Sequence, residues 1–125
     1  MLVVTRFRIQ EDGLEAFLTP AREAVAALSR CPGFVRARLG RALDDPEMLV
    51  LAMEWQDVGS YRRALSSTDV KMNAVPLLSQ AIDEPSAFEM LHSRGPEGVT
   101  DSPSAIAADG RTVRLGEAAG PTPTD

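Results

Sequence analysis

The chain has 125 residues, 44% hydrophobic and 25% charged, which is room for one domain of ordinary soluble composition. Its net charge is −5 and its basic residues are scattered, which excludes the basic face a nucleic-acid binder needs to neutralise phosphates. One cysteine excludes an internal disulfide and a Cys-rich zinc site, and no apolar run has the length of a secretory leader or a membrane span, so the cytoplasm is the expected location.

The first strand is expected over Met1 to Ile9, with Val3, Thr5, Phe7 and Ile9 on one face and Leu2, Val4, Arg6 and Arg8 on the other. Apolar residues at Leu14, Phe17, Leu18, Ala21, Val25 and Leu28 then draw a helical stripe, with Pro20 inside it, and one kinked helix ending near Arg30 is predicted. Pro32-Gly33 stops that helix. Cys31 just before it reads as a small buried filler rather than a nucleophile, having no histidine near it in sequence.

A β-hairpin follows: Phe34 to Ala42, a turn at Asp44-Asp45-Pro46, and Met48 to Trp55. Strict alternation places Arg36 and Arg38 on the face of Phe34, and Leu49, Leu51, Met53 and Trp55 on one face of the return strand. The opposite face, Met48, Val50, Ala52 and Glu54, is nearly apolar too, so both sides of the sheet call for a cover. Arg6/Arg8 and Arg36/Arg38 are two arginine pairs at period two. They line a site or are neutralised across the sheet by Glu54 and Glu89, and the sequence leaves both open.

Asp57 is the predicted cap of a second helix through Leu65, and Ser66 to Asp69 break and recap it. Val70, Ala74, Leu77 and Leu78 continue as a helical segment interrupted at Pro76. Ala87, Phe88, Met90 and Leu91 make the fourth strand. The domain is thus drawn over residues 1–92, and residues 93–125 as a polar tail rich in Gly, Pro, Ser and Thr. Within that tail, Ala105 to Leu115 around Asp109-Gly110 is a candidate hairpin. The order strand, helix, strand, strand, helices, strand predicts an α+β, ferredoxin-like βαββαβ fold, a four-stranded antiparallel sheet with helices on one face. The uncovered face then needs a partner.

No phosphate-binding loop, nucleophile elbow or metal-ligand pair at helical spacing is present, so no metal site is predicted, and the lone His92 reads as a solvated residue. Trp55 closes the long apolar strand where the chain leaves the sheet, a position from which an indole roofs the space between sheet and helices or simply fills the core. Tyr61, one helical turn on, can offer a phenol to the same space.

The hairpin from Pro32-Gly33-Phe34 to Glu54-Trp55, with Asp57-Val58-Gly59-Ser60-Tyr61 and the return Asp83-Glu84-Pro85-Ser86-Ala87-Phe88-Glu89, resembles the antibiotic biosynthesis monooxygenase domain family across about Met1 to His92. The resemblance implies a homodimeric α+β barrel with a ligand pocket between sheet and helices. It also implies oxidation of an aromatic, polyketide- or quinol-like substrate by molecular oxygen without metal or flavin. A substrate-holding asparagine of such enzymes falls at Leu51 here. The positions nearest the catalytic groups of haem-degrading relatives, Arg6, Ala64 and Ala74 or Val75, cannot do that chemistry. The site expected on this basis joins Trp55, Arg38 and Arg6 as catalytic residues to Tyr61, Leu51 and Glu54 as substrate contacts. A non-catalytic homodimeric ligand-binding or accessory protein of the same fold is the alternative.

Overall fold

The computed structural model describes residues 1–104. Strand β1 (Leu2–Arg8) leads through a 3-10 turn at Glu11–Gly13 into helix α1 (Leu14–Ser29). Strands β2 (Phe34–Arg41) and β3 (Met48–Trp55) form the hairpin, followed by helices α2 (Val58–Ser66), α3 (Thr68–Asn73) and α4 (Val75–Leu78) and by strand β4 (Ala87–Phe88). The four strands make one antiparallel sheet in the order β2-β3-β1-β4. This is the α+β, ferredoxin-like arrangement that the sequence predicts.

The local devices work as the residue types suggest. Asp57 caps α2 by accepting from the Ser60 N–H at 2.7 Å. Ser67 ends α2 and caps α3 in one residue, its hydroxyl donating to the Ala64 carbonyl at 2.8 Å and accepting from the Val70 N–H at 3.4 Å. Pro76 lies in the first turn of α4, where its missing N–H costs nothing, and the break falls at Ala74. Pro20 is accommodated within a single sixteen-residue helix. The fourth strand is only two residues long, and Met90 and Leu91 lie outside it, half-exposed.

The core lies wholly on the helix side of the sheet. Val3, Thr5 and Phe7 of β1 and Leu49, Leu51, Met53 and Trp55 of β3 face Phe17, Ala21, Ala24, Ala27 and Leu28 of α1 and Tyr61, Ala64 and Leu65 of α2, all buried. Alanines on α1 let the helix lie close to the strands, and Phe17 fits against Phe7 with ring centroids 5.1 Å apart.

Two features depart from the sequence reading. A β-bulge separates Phe34 from Arg36, so Phe34 pairs with Trp55 while Arg36 pairs with Glu54. The extra residue, Val35, resets the alternation. Phe34 therefore joins the core face, and Arg36 and Arg38 turn to the open face instead of sharing the side of Phe34. The second departure is a hairpin, β5 (His92–Gly95) and β6 (Gly98–Asp101), that opens the segment read as tail. Gly98 turns it at a φ of 127°, open to glycine at no steric cost. The candidate hairpin at Ala105 to Leu115 lies outside the described residues.

Candidate functional site between the sheet and the helices

The sheet divides the expected site in two. Trp55, Leu51 and Tyr61 are buried on the helix side, at 2%, 1% and 1% exposure. Arg6, Arg38 and Glu54 lie on the open face: register pairs Arg6 with Val50, Arg38 with Ala52 and Glu54 with both Leu2 and Arg36. Directly opposed residues point to the same side of a sheet, so Arg6, Arg38 and Glu54 leave their strands on the face opposite Trp55.

The open-face arginines are largely neutralised. Arg6 makes a bidentate pair with Glu84, at 2.7 and 2.6 Å. That pairing holds the Glu84 carboxyl below its usual range, chiefly through the Arg6 hydrogen bond. Arg8 donates to Asp45 at 3.2 Å, and Arg36 stands 3.6 Å from Glu54. Arg38 forms no ion pair within the described residues and borders a recess of about 200 Å³ with Leu2, Arg36 and Ala52. Around these charges, Leu2, Val4, Met48, Val50 and Ala52 are only half-buried and Phe88 is 45% exposed.

On the helix side, Trp55 is wedged edge-on against Phe34, centroids 5.3 Å apart at 87°, and tilted against Tyr61 at 5.5 Å. These contacts are favourable ring geometries. The polar ends of the cluster are another matter. Trp55 Nε1 and the Tyr61 hydroxyl are fully enclosed and have no hydrogen-bond partner among the described protein groups, and the same holds for Thr5 Oγ1 on β1. Burial pushes the Tyr61 phenol well above its ordinary pKa, so it stays a neutral donor. Composition and periodicity gave no sign of Thr5, which reads as an ordinary β-former.

A cleft of about 310 Å³ separates α1 from the edge strand β2, walled by Leu18, Ala21, Arg22 and Val25 and floored by Ala37 and Leu39, and Arg38 on the edge strand borders it as well as the open-face recess. Leu39 is the cross-strand partner of Leu51, so the floor of the cleft is next to the buried stripe Leu51, Met53, Trp55. Among the described residues, no three His, Cys, Asp or Glu side chains converge as a metal-binding group.

The sequence profile of the antibiotic biosynthesis monooxygenase family matches residues 1–72. The chain belongs to this family. Among solved structures it is similar to a variant of SnoaB, a cofactor-independent oxygenase from Streptomyces nogalater, at 30% identity and a TM-score of 0.56, over 65% of this chain and 82% of that one. It is also similar to a conserved protein from Methanosarcina mazei Go1, at 23% identity and a TM-score of 0.56, over 69% and 84% of the two chains. A third likeness, 19% identical with a TM-score of 0.55 over 83% of this chain and all of the other, is to an antibiotic biosynthesis monooxygenase. The last two speak to the fold alone. No curated protein matches the chain. No helix among the described residues is long and apolar enough to cross a membrane.

Proposed function

We propose that this member of the antibiotic biosynthesis monooxygenase family is a cofactor-independent monooxygenase, acting in the cytoplasm as a homodimer on an aromatic, polyketide- or quinol-like substrate. The observation that carries the reading is the pair of orphaned polar groups in an apolar interior, Trp55 Nε1 and the Tyr61 hydroxyl. Each buried hydroxyl or indole N–H without a partner costs about 1–3 kcal/mol. A substrate oxygen lying beside them supplies the missing acceptor. SnoaB, of the same fold, is a cofactor-independent oxygenase.

In this reading the substrate slides over Leu39 onto the stripe Leu51, Met53, Trp55, with its ring plane against the indole. A methylene between two aromatic rings loses a proton to water, and the electron-rich anion that remains reduces oxygen. A C–O bond forms and the peroxide is protonated. Breaking the second C–H and the O–O bond then leaves a ketone and a water molecule. The two C–H bonds supply both reducing equivalents, so the step balances without a metal or flavin. The protein contributes orientation, exclusion of water and neutral hydrogen-bond donors for the developing anion. Arg6, on the open face, serves the subunit contact in this arrangement instead of the anion, while Arg38 borders both that face and the mouth of the cleft.

The test is oxygen uptake with 1,8-dihydroxyanthrone by metal-free protein. Turnover above buffer is expected, falling about tenfold in Tyr61→Phe, the size of one lost hydrogen bond to a charged oxygen. Uptake no faster than buffer refutes the enzyme. Saturable quenching of Trp55 fluorescence without turnover would instead favour the ligand-binding alternative.

The half-buried open face supports the homodimer, since a sheet face of Leu2, Val4, Met48, Val50 and Ala52 is more apolar than a surface kept in water. Light scattering at low micromolar concentration should return twice the chain mass. Val50→Asp, at the centre of that face and remote from the helix side, should return the monomer. A wild-type monomer would rule the dimer out.

A further inference from the structure

We infer that the cleft between α1 and the edge strand β2 binds a small organic acid, with Arg22 and Arg38 holding its carboxylate and the apolar walls holding its body. The inference goes beyond the oxygenase reading and does not rest on it.

The cleft has an apolar lining and a charged rim. Leu18 and Val25 on α1 and Ala37 and Leu39 on β2 are only half-buried, so part of its apolar surface is left in water. Arg22, one turn along α1 from Leu18, is exposed at the same cleft. Arg38 leaves its strand on the open face, but β2 is the outermost strand of the sheet, and Arg38 borders the cleft as well as the open-face recess.

No acid of the protein competes for either guanidinium. Arg22 has Leu18, Thr19, Val25 and Ala26 at the three- and four-residue spacings from which a helix carboxylate would pair with it. Arg38 has Ala52 opposite it and no strand on its other side. Neither forms an ion pair among the described residues, and no acidic residue lines the cleft. Arg6, Arg8, Arg30 and Arg36 each have a carboxylate partner. Acids outnumber basic residues 18 to 13 in the chain, so the two arginines do not go unpaired for want of carboxylates.

The chemistry of the lining selects the ligand. A guanidinium presents a planar fork of donors that matches the two oxygens of a carboxylate, and two of them at one cleft favour an anion over a neutral or cationic group. The apolar walls reward a ligand that covers them, which a small hydrophilic anion does not do. At about 310 Å³ the cleft stands at the small end of ligand sites, which run from about 300 to 1,000 Å³. A single aromatic ring or a short alkyl chain carrying one carboxylate fits these terms, and a fused polycycle does not.

The experiment titrates the isotopically labelled full chain with phenylbutyrate and follows the backbone amide shifts by NMR. Phenylbutanol supplies the same body without the charge, and acetate the charge without the body. Phenylbutyrate should saturate with a Kd at or below about 1 mM and move the amides of Ala21, Arg22, Ala37 and Leu39, while the alcohol and acetate should each bind about tenfold more weakly. Arg22→Gln and Arg38→Gln should each weaken the acid about tenfold, the size of one charge-assisted hydrogen bond, and leave the alcohol within about twofold. Both side chains are exposed, so the fold should survive either change. Arg36 borders the open-face recess and not the cleft, so Arg36→Gln should bind the acid like wild type. Equal affinity for acid and alcohol, or wild-type affinity for the acid in Arg22→Gln, would overturn the inference. So would shifts centred on Leu2, Ala52 and Glu54 with loss of binding in Arg36→Gln, which would put the anion on the open face. Failure of the acid to saturate the wild type below about 10 mM would overturn it as well.

Discussion

Replacing Trp55 by alanine should cost about 3–5 kcal/mol of folding stability and abolish oxygen uptake. Trp55 is the bulkiest side chain of the core, 2% exposed, and it bridges the sheet to α2 through Phe34 on one side and Tyr61 on the other. Its backbone also ties the chain start, exchanging hydrogen bonds with Met1 at 2.9 Å in each direction. Alanine leaves a cavity that two aromatic neighbours and the sheet cannot close, and thermal melting should show a fall of more than about 10 °C. Trp55→Phe separates the two roles. It keeps a ring against Phe34 and Tyr61 and removes the indole N–H, so it should remain folded, melt only a few degrees lower, and lose about tenfold in oxygen uptake. A phenylalanine variant with wild-type turnover would reduce Trp55 to packing.

Gly33→Ala is the second large effect. Gly33 follows α1 with a φ of 91°, in the region that side chains avoid. A Cβ there would sit 2.3 Å from the Ser60 Oγ and 2.4 Å from the Ser60 Cβ, in the first turn of α2. The Gly33 carbonyl simultaneously accepts from the Gln56 N–H at 2.8 Å, so neither strand nor helix can retreat freely. Backbone strain and overlap together should cost about 3 kcal/mol or more, read as loss of at least about 12 °C in melting temperature. Gly40→Ala is the internal control. A Cβ at Gly40 meets Val50 at an ordinary 3.7 Å and the φ is unexceptional, so its stability should change by less than about 0.5 kcal/mol. Equal melting of the two variants would refute the close approach of Gly33 to α2, and with it the reason α2 presents Tyr61 to Trp55.

The cap at Asp57, a break and recap within Ser66 to Asp69, the interruption at Pro76 and the sets of residues sharing each face of β1 and β3 were all legible in the residues, because each depends on neighbours within a few positions. Leu49, Leu51, Met53 and Trp55 alternate without interruption, so period two alone assigns them to one side. The hairpin at His92–Asp101 escaped for the opposite reason. Its strands are polar and short, carry no alternation, and turn at Pro96-Glu97 rather than at a common turn pair.

The candidate site was half visible. Trp55 and Tyr61 were recognisable as an aromatic pair at the end of an apolar strand, and the structure brings their rings together. The arginines were not separable from them by sequence, because alternation tells which residues share a face within one strand and nothing about how strands are phased against one another. A single bulged residue, Val35, carries Phe34 to the core and Arg36 and Arg38 away from it.

By itself, then, the sequence determined the main elements through Phe88, their order and the ferredoxin-like plan, which follow from local propensity and periodicity, and its motifs carried the family resemblance. Only the tertiary structure decided that Arg6 and Arg38 lie across the sheet from Trp55, and that Thr5, Trp55 and Tyr61 bury polar atoms without protein partners. Cross-strand register and enclosure arise from contacts between residues far apart in the chain, and no window of sequence contains both partners.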